Sequence, residues 1–232
     1  MQTLKFLGRG SAFNTKEYNT SAFLIKNNEL ILIDCGENIF SKIMKLNILE
    51  NIKKVHLLIT HFHTDHIGSI GTFISYLFYV KKIITNIYTP DKKIIDILNL
   101  IGQDKNSYNY ISKEDVIINN INIGFIESSH TNLIKSYSII LNFDDKYLFY
   151  SGDCNKIDNN VIKYLLNNII TEFYIDTCSI DYDGNVHFYI NKLCNLIPIE
   201  YRNKVYCMHI DNDNLIQKIK NEKFNIVKTI ER

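Results

Sequence analysis

The chain has 232 residues, 46% of them hydrophobic and 22% charged, which suits one fairly large domain with its own buried core. Its 26 basic and 25 acidic residues leave a formal net charge of +1, so any nucleic-acid role would need a local basic patch. Five widely spaced cysteines without a CxxC pair argue against a disulfide scaffold and favour a cytoplasmic protein.

Nothing in the sequence predicts attachment to a membrane. The amino-terminal stretch MQTLKFLGRGSAF lacks the apolar run of a signal peptide. The longest apolar candidate, residues 67–80, is shorter than the about 20 residues that a bilayer span needs, and it is read as a buried helix. No linker rich in Pro, Gly or Ser divides the chain, which predicts a single domain over residues 1–232.

Hydrophobic periodicity predicts strands interspersed with helices along the whole chain. In the first half the predicted elements are, in order, strands over 3–7, 21–26 and 30–34, a helix from 39, a strand over 55–60 and a helix over 67–80. In the second half they are a helix over 91–101, strands over 116–119, 121–127, 136–142 and 146–151, a helix over 157–167, a strand over 171–176, a helix over 186–196, a strand over 204–209, and a last helix and strand. This pattern predicts two sheets packed face to face and covered by helices.

A histidine cluster directly follows the strand predicted over 55–60. Four of the seven histidines fall within VHLLITHFHTDH, residues 55–66. Neutral imidazole and carboxylate are ligands that zinc, iron and manganese accept. In a tight loop His61 and His63 can converge on one ion while Asp65 and His66 turn toward another. The alternative, a solvated polar loop, is disfavoured by this concentration of a scarce residue.

Three further ligand candidates follow strands elsewhere. His130 lies in IESSH, Asp153 in FYSGD, and His209 ends VYCMH. Each alone could be a surface or capping residue. Because strand ends on one rim of a sandwich converge in space, we expect all three to join the 61–66 cluster. The two carboxylate oxygens of Asp153 could bridge two cations.

These motifs resemble those of a known superfamily. HFHTDH followed by IGSIG resembles the HxHxDHxGG signature of the metallo-β-lactamase superfamily, and the order His130, Asp153, His209 resembles its later motifs. The segments FLGRGSAFNTKEYNTSAFLI and LILIDCGE are similar to the opening of its ribonuclease Z branch. The resemblance implies an α+β fold, an αββα four-layer sandwich of two packed mixed β-sheets flanked by helices.

The same resemblance implies two divalent metal ions, with zinc expected first and manganese or iron as alternatives. It assigns seven ligands: His61, His63 and His130 to the first ion, Asp65, His66 and His209 to the second, and Asp153 as the bridge. Two ions about 3.5–4 Å apart can share a water, generate hydroxide near neutral pH and polarise a substrate oxygen. Asp65 could also orient that hydroxide. Asp34 in LILID resembles an aspartate that supports the site from behind, although it could equally cap the next helix.

A leaving alkoxide needs a proton, and His187 in GNVH is the candidate donor. In the ribonuclease Z branch an acidic residue after the fifth motif strand pairs with a histidine placed similarly. Asp176 stands where that branch usually has Glu. The alternative for His187 is a surface histidine near the amino end of a helix. His56, which begins the apolar strand, is predicted to be structural.

The branch resemblance implies phosphodiester cleavage, typically by an endonuclease acting at the 3′ end of precursor tRNA. The arm that grips tRNA is usually inserted between the third metal histidine and the bridging aspartate, and here only 22 residues separate His130 from Asp153. We therefore predict a phosphodiesterase without this arm, acting on a small or cyclic nucleotide diester or on RNA. The alternatives are a lactone or thioester hydrolase and a catalytically silent metal-binding module. An exposed sheet edge would allow a homodimer.

Overall fold

Two β-sheets organise the computed structural model of the chain, which describes residues 2–231. The first sheet contains, in both chain and spatial order, β1 (Lys5–Gly8), β2 (Ser21–Lys26), β3 (Glu29–Ile33), β4 (Lys54–Leu58), β5 (Thr85–Tyr88) and β6 (Tyr108–Ile111). The second contains, in chain order, β7 (Asp115–Ile118), β8 (Ile121–Ser128), β9 (Ser136–Phe143), β10 (Lys146–Tyr150), β11 (Ile170–Asp176), β12 (Val205–Met208) and β13 (Asn225–Ile226). Strands pair antiparallel from β1 to β3 and from β7 to β10, and parallel in the rest of each sheet.

Helices cover the outer face of each sheet. In the described part of the chain the α-helices are α1 (Ile39–Lys45), α2 (Thr64–Ile67), α3 (Ile70–Tyr76), α4 (Lys93–Leu100), α5 (Asn159–Leu166), α6 (Ile190–Leu196) and α7 (Asp213–Asn221). Side chains of α1, α3 and α4 pack on the first sheet, and those of α5, α6 and α7 pack on the second. This order of layers confirms the predicted αββα sandwich. None of the helices within residues 2–231 has the length and apolar character to cross a bilayer.

The apolar runs form strands because these strands are buried on both faces. In β3, Leu30 and Leu32 belong to the cluster under the helices, whereas Ile31 and Ile33 belong to the cluster between the sheets. All four are at most 2% exposed. A continuous apolar sequence is therefore what a central strand of this sandwich requires.

The prediction of one continuous helix over residues 67–80 is wrong. The structure divides the segment into α2, α3 and a π-helical turn over Leu77–Lys81. The break lies at Ser69, whose backbone N–H donates to the carbonyl of Cys35 at 3.1 Å, outside the helix. The hydroxyl of Ser69 bonds the carbonyl of Gly36 in the same loop. These contacts tie the metal-motif loop to the end of β3.

Two further differences concern strands and a helix start. The strands β5 and β6 were not predicted, because each has only four residues and depends on its partners, β4 and β6 for β5 and β5 for β6. The helix predicted over 186–196 begins at Ile190. Its first predicted residues are held out of the helix, since the N–H of Cys178 donates to the carbonyl of Phe188 at 2.9 Å. This pairing leaves His187 in a loop.

Candidate metal centre

The loop after β4 turns sharply because a buried aspartate captures it. The backbone N–H of Thr60 donates to Asp34 Oδ1 at 2.8 Å. The chain then enters α2, whose first turn contains Asp65 and whose last turn contains His66. Both side chains are buried, with 4% of Asp65 and 1% of His66 exposed. The HFHTDH motif thus directs its ligands inward.

One group that could hold a metal ion, a candidate ligand group, consists of His61, His63, His130 and Asp153, each offering an atom within 4.8 Å of the others. His63 Nδ1 lies 3.1 Å from His61 Nε2 and 3.2 Å from His130 Nε2. Asp153 Oδ2 lies 3.7 Å from His61 Nε2 and 3.8 Å from His130 Nε2. Burial lowers the pKa of all three histidines, which favours the neutral form that ligates a metal.

The second ligand group consists of Asp65, His66, Asp153 and His209. Asp65 Oδ2 lies 3.4 Å from His66 Nε2 and 3.3 Å from His209 Nε2. Within residues 2–231 the buried His66 Nε2 makes no hydrogen bond, although Asp153 Oδ1 is 3.2 Å away. A buried nitrogen with no bond, facing two carboxylates, fits a cation.

Asp153 belongs to both groups and thus lies where a bridging carboxylate would. Burial raises the pKa of Asp153, but the histidines around it, chiefly His209 and His66, hold that pKa well below its usual range. Conversely, burial lowers the pKa of His66 and His209, but Asp153 and their other carboxylate partners raise it well above its ordinary value. A metal ion entering the second group must therefore displace protons.

Two of the candidate ligand histidines, His66 and His209, each contact a buried aspartate at the end of a strand. Asp34 Oδ2 accepts from His66 Nδ1 at 2.8 Å and from the Thr60 hydroxyl at 2.7 Å. Asp176 Oδ1 lies 3.3 Å from His209 Nδ1. The structure therefore places Asp34 behind the ligands, whereas α1 begins after Asn38, too far along the chain for Asp34 to cap it.

His187 lies at the edge of the centre, with its side chain 25% exposed. Its Nδ1 donates to Asp176 Oδ2 at 2.8 Å, which leaves Nε2 as the nitrogen that a substrate can reach. Its ring stacks on that of His209 with centroids 4.8 Å apart. Burial lowers the pKa of His187, but Asp176 outweighs this effect and raises it.

Every residue predicted from the sequence for the site lies in this cluster, and His56 lies apart, bonded to Glu29 and Tyr88. The sequence did not predict that Asp176 contacts two histidines, with Oδ1 lying 3.3 Å from His209 Nδ1 and Oδ2 accepting from His187 Nδ1. The signal was present, because Asp176 ends the apolar β11 in the same way as Asp34 follows β3.

Three residues of the centre have an unusual backbone conformation. Asp34 and His209 adopt left-handed φ values of 60° and 58°, which are uncommon for residues other than glycine. Gly152 has φ of 58°, and a Cβ there would lie 2.7 Å from the carbonyl of Tyr137. Only glycine fits at position 152, and this sharp turn directs Asp153 into the centre.

Comparison with solved structures identifies the fold. The metallo-β-lactamase fold protein YhfI from Bacillus subtilis superposes with a TM-score of 0.76 at 17% identity, covering 97% of this chain and 96% of that one. The short form of human tRNase Z superposes with a TM-score of 0.71 at 14% identity, covering 98% and 97%. These likenesses confirm the metallo-β-lactamase fold and the structural resemblance to ribonuclease Z.

Comparison of sequences identifies the family. The Anti-Pycsar protein Apyc1 of Paenibacillus xerothermodurans is 26% identical over 227 residues, covering 90% of this chain and 88% of that protein. The Anti-Pycsar protein Apyc1 of Bacillus phage BSP38 is 29% identical over 240 residues, covering 91% and 90%. The family model described as Anti-Pycsar protein Apyc1 matches residues 2–232. The chain therefore belongs to the Anti-Pycsar protein Apyc1 family, within the hydrolases of the metallo-β-lactamase fold.

Proposed function

We propose that this protein is a metal-dependent phosphodiesterase that hydrolyses a small cyclic nucleotide diester. The observation that carries the proposal is the His187–Asp176 pair at 2.8 Å beside the two ligand groups. Hydrolysis of an alkyl phosphodiester expels a poorly stabilised alkoxide, which needs a proton donor. A lactone or a thioester has less need of one, and a silent metal-binding module would have no use for the pair.

The donor set fits two divalent cations, and we propose zinc first, with manganese or iron as alternatives. His61, His63 and His130 would hold one cation, Asp65, His66 and His209 the other, and Asp153 both. When bound, such cations activate a water and neutralise charge on the phosphoryl oxygens. Most of these side chains are buried, which excludes bulk water from the centre.

The chain's own residues would then orient the reactants and move the proton. Asp65, whose Oδ2 lies 3.4 Å from His66 Nε2 and 3.3 Å from His209 Nε2, would orient the attacking water. His187 Nε2 would protonate the departing ribose oxygen, while Asp176 holds the proton on Nδ1. The raised pKa of His187 favours the protonated form that a general acid needs.

Two observations support a small substrate. The segment from His130 to Asp153 consists of β9, β10 and their short connections, so it contains no arm that could bind tRNA. The net charge of +1 provides no general attraction for a polynucleotide. The matched relatives are named anti-Pycsar proteins, and we propose the same role for this chain.

Replacement of His187 by Ala tests the proposal. Wild-type protein loaded with zinc or manganese should hydrolyse both a 3′,5′-cyclic nucleotide and bis-nitrophenyl phosphate. The variant should keep its metal content by elemental analysis and lose about 10²–10⁴-fold in kcat on the cyclic nucleotide. It should lose far less on the nitrophenyl diester, because nitrophenolate leaves without a proton.

His56→Gln is the matched control, since it changes a buried histidine outside the centre and should not alter the ratio of the two rates. Equal losses of the His187→Ala variant on both substrates would refute the donor role. Parallel assays with a homoserine lactone and a tRNA precursor test the substrate class. Faster turnover of either than of the cyclic nucleotide would overturn the proposal.

A further inference from the structure

Large apolar side chains stand exposed around one side of the metal centre. Phe13 is 96% exposed and Leu133 is 87% exposed, and Ile180 and Tyr182 are also exposed. A single exposed apolar residue is normal on a protein surface. These four lie on three loops, two of which border His187, while the Phe13 loop is bonded to Ile210 beside His209.

Hydrogen bonds fix the three loops to the ligand segments. The Phe13 loop is held by the N–H of Ser11 and the side-chain amide of Asn14, which donate to the carbonyl of Ile210 at 3.1 and 2.9 Å. Ile210 directly follows the ligand His209. The Phe13 side chain therefore projects from a segment anchored beside the metal centre.

The other two loops continue this rim. The loop that contains Ile180 and Tyr182 is tied to the same segment, because the N–H of Ser179 donates to Asp211 Oδ2 at 2.8 Å. The loop that contains Leu133 begins at His130, whose Nδ1 lies 2.9 Å from the carbonyl of Val186. The Ile180 loop and the Leu133 loop thus lie near His187, and the Phe13 loop lies beside His209.

The substrate's nucleoside must lie on this same side. In a cyclic nucleotide both ester oxygens belong to one ribose, so the oxygen that His187 protonates carries the sugar and the base. With the phosphate on the metal centre, the base extends outward past His187 over the loop rim. A cavity of about 380 Å³ lies between the Phe13 loop and the segment that follows Ile210, lined by Phe13, Asn14, Asp211 and Asn212 among others. Its lining combines the aromatic ring of Phe13 with polar side chains that hold the surrounding loops together.

We propose that the Phe13 ring is the stacking surface for the nucleobase of the substrate, and that Leu133, Ile180 and Tyr182 complete an apolar rim around it. This inference rests on the proposed function. A base stacked on an aromatic side chain gains a factor of about 5–150 in affinity. The base is not attached to the reacting phosphorus, so this contact should strengthen substrate binding and leave the rate of the chemical step nearly unchanged.

The test combines Phe13→Ala with two substrates, a 3′,5′-cyclic nucleotide and the corresponding cyclic ribose phosphate without a base. On the nucleotide, Phe13→Ala should raise KM about 5–150-fold while kcat changes little. On the substrate without a base it should change neither constant. Phe13→Tyr should restore most of the lost affinity, because it keeps an aromatic face.

Ile117→Ala is the matched control, because Ile117 is 73% exposed on the edge strand β7. It pairs with Asn122 at the start of β8, and His130 follows the other end of β8. Equal losses on both substrates would show a structural effect and overturn the inference, as would an unchanged KM on the nucleotide. If wild-type protein cleaves both substrates and Phe13→Ala has no effect, only the stacking role fails. If wild-type protein cleaves neither, the proposed function fails with it.

Discussion

At the scale of single residues, the two backing aspartates divide the work of the centre. Among the candidate ligands Asp34 contacts only His66, through a hydrogen bond from His66 Nδ1. Asp176 lies between His209 and His187 and contacts both. A carboxylate behind a metal-bound imidazole fixes the orientation of the ring and increases its basicity. Asp34 should therefore affect metal affinity only, and Asp176 should affect both metal affinity and proton donation.

Asp34→Asn and Asp176→Asn separate these roles. Asp34→Asn should weaken metal binding by about 10–100-fold, as measured by competition with a chelator. With metal in excess it should keep the wild-type ratio of rates on cyclic nucleotide and nitrophenyl diester. Asp176→Asn should weaken binding and also depress that ratio. Asp34→Asn protein that binds metal as tightly as the wild type would contradict the backing role.

His56 allows a pH prediction away from the metal centre. Its Nε2 lies 3.1 Å from Glu29 Oε2, but burial outweighs this carboxylate and lowers the pKa of His56. The unfolded chain, with an ordinary His pKa of about 6.5, then binds the proton more readily than the folded one. The stability that His56 contributes is full above that pH and is lost as the pH falls below it.

Comparison of the metal-free wild type with His56→Gln protein tests this sign. The variant should unfold at a lower temperature at pH 7.5, and the difference in Tm should shrink as the pH falls from about 6.5 toward 5, since glutamine does not titrate. Thermal unfolding followed by circular dichroism measures it. A difference that grows in acid would mean that Glu29 keeps His56 protonated in the fold.

At the scale of elements, α2 is pressed against the loop between β3 and α1. The N–H of Cys35 donates to the carbonyl of His66 at 2.7 Å. A Cβ on the next residue, Gly36, would lie 1.9 Å from the carbonyl oxygen of Asp65. Close approach of two backbones therefore sets the position of two ligands, and only glycine permits it.

Gly36→Ala should lower the free energy of unfolding by about 1–3 kcal/mol or more and reduce metal content, because α2 must move to relieve the clash. Gly71→Ala in α3 is the matched control. There the nearest atom is the flexible end of Ile101 at 2.8 Å, and alanine gains up to about 1 kcal/mol of helix propensity. Denaturant titration and metal analysis of both variants measure the difference. Gly36→Ala protein with wild-type stability and metal content would contradict the close approach.

At the scale of the whole molecule, the metal centre joins the two sheets. The ligands of the 61–66 loop follow β4 of the first sheet, whereas His130, Asp153 and His209 follow strands of the second. An ion bound by either group would therefore connect the two sheets and stabilise the folded chain by mass action.

Removal of metal should lower Tm markedly. Ions present at about a thousand times their dissociation constant contribute about 4 kcal/mol, which for a chain of this size corresponds to a shift of about 8–16 °C. Calorimetry before and after dialysis against a chelator measures the shift, and addition of zinc or manganese should reverse it. Asp153→Asn protein should show a smaller shift, because it lacks the bridging carboxylate. An unchanged Tm in the wild type would argue against ions that join the sheets.

The sequence by itself determined the layers, most of the strands and the set of candidate ligands that the fold brings together. Apolar runs such as β3 can be buried only in a central strand, and histidines and aspartates that follow such runs must meet where the strand ends meet. This is why the sequence alone predicts that His61 and Asp153, 92 positions apart in the chain, belong to one centre.

Only the tertiary structure decided what depends on contacts between distant segments. The short strand β5 exists because β4 offers it a partner, and β6 exists because β5 does. The break at Ser69 exists because the carbonyl of Cys35 accepts its N–H. Asp176 serves two histidines because β12 lies next to β11. The exposure of Phe13 beside His209 likewise follows from packing. Local sequence fixes burial preference and donor chemistry, but distances between side chains on different strands arise only when the sheets close.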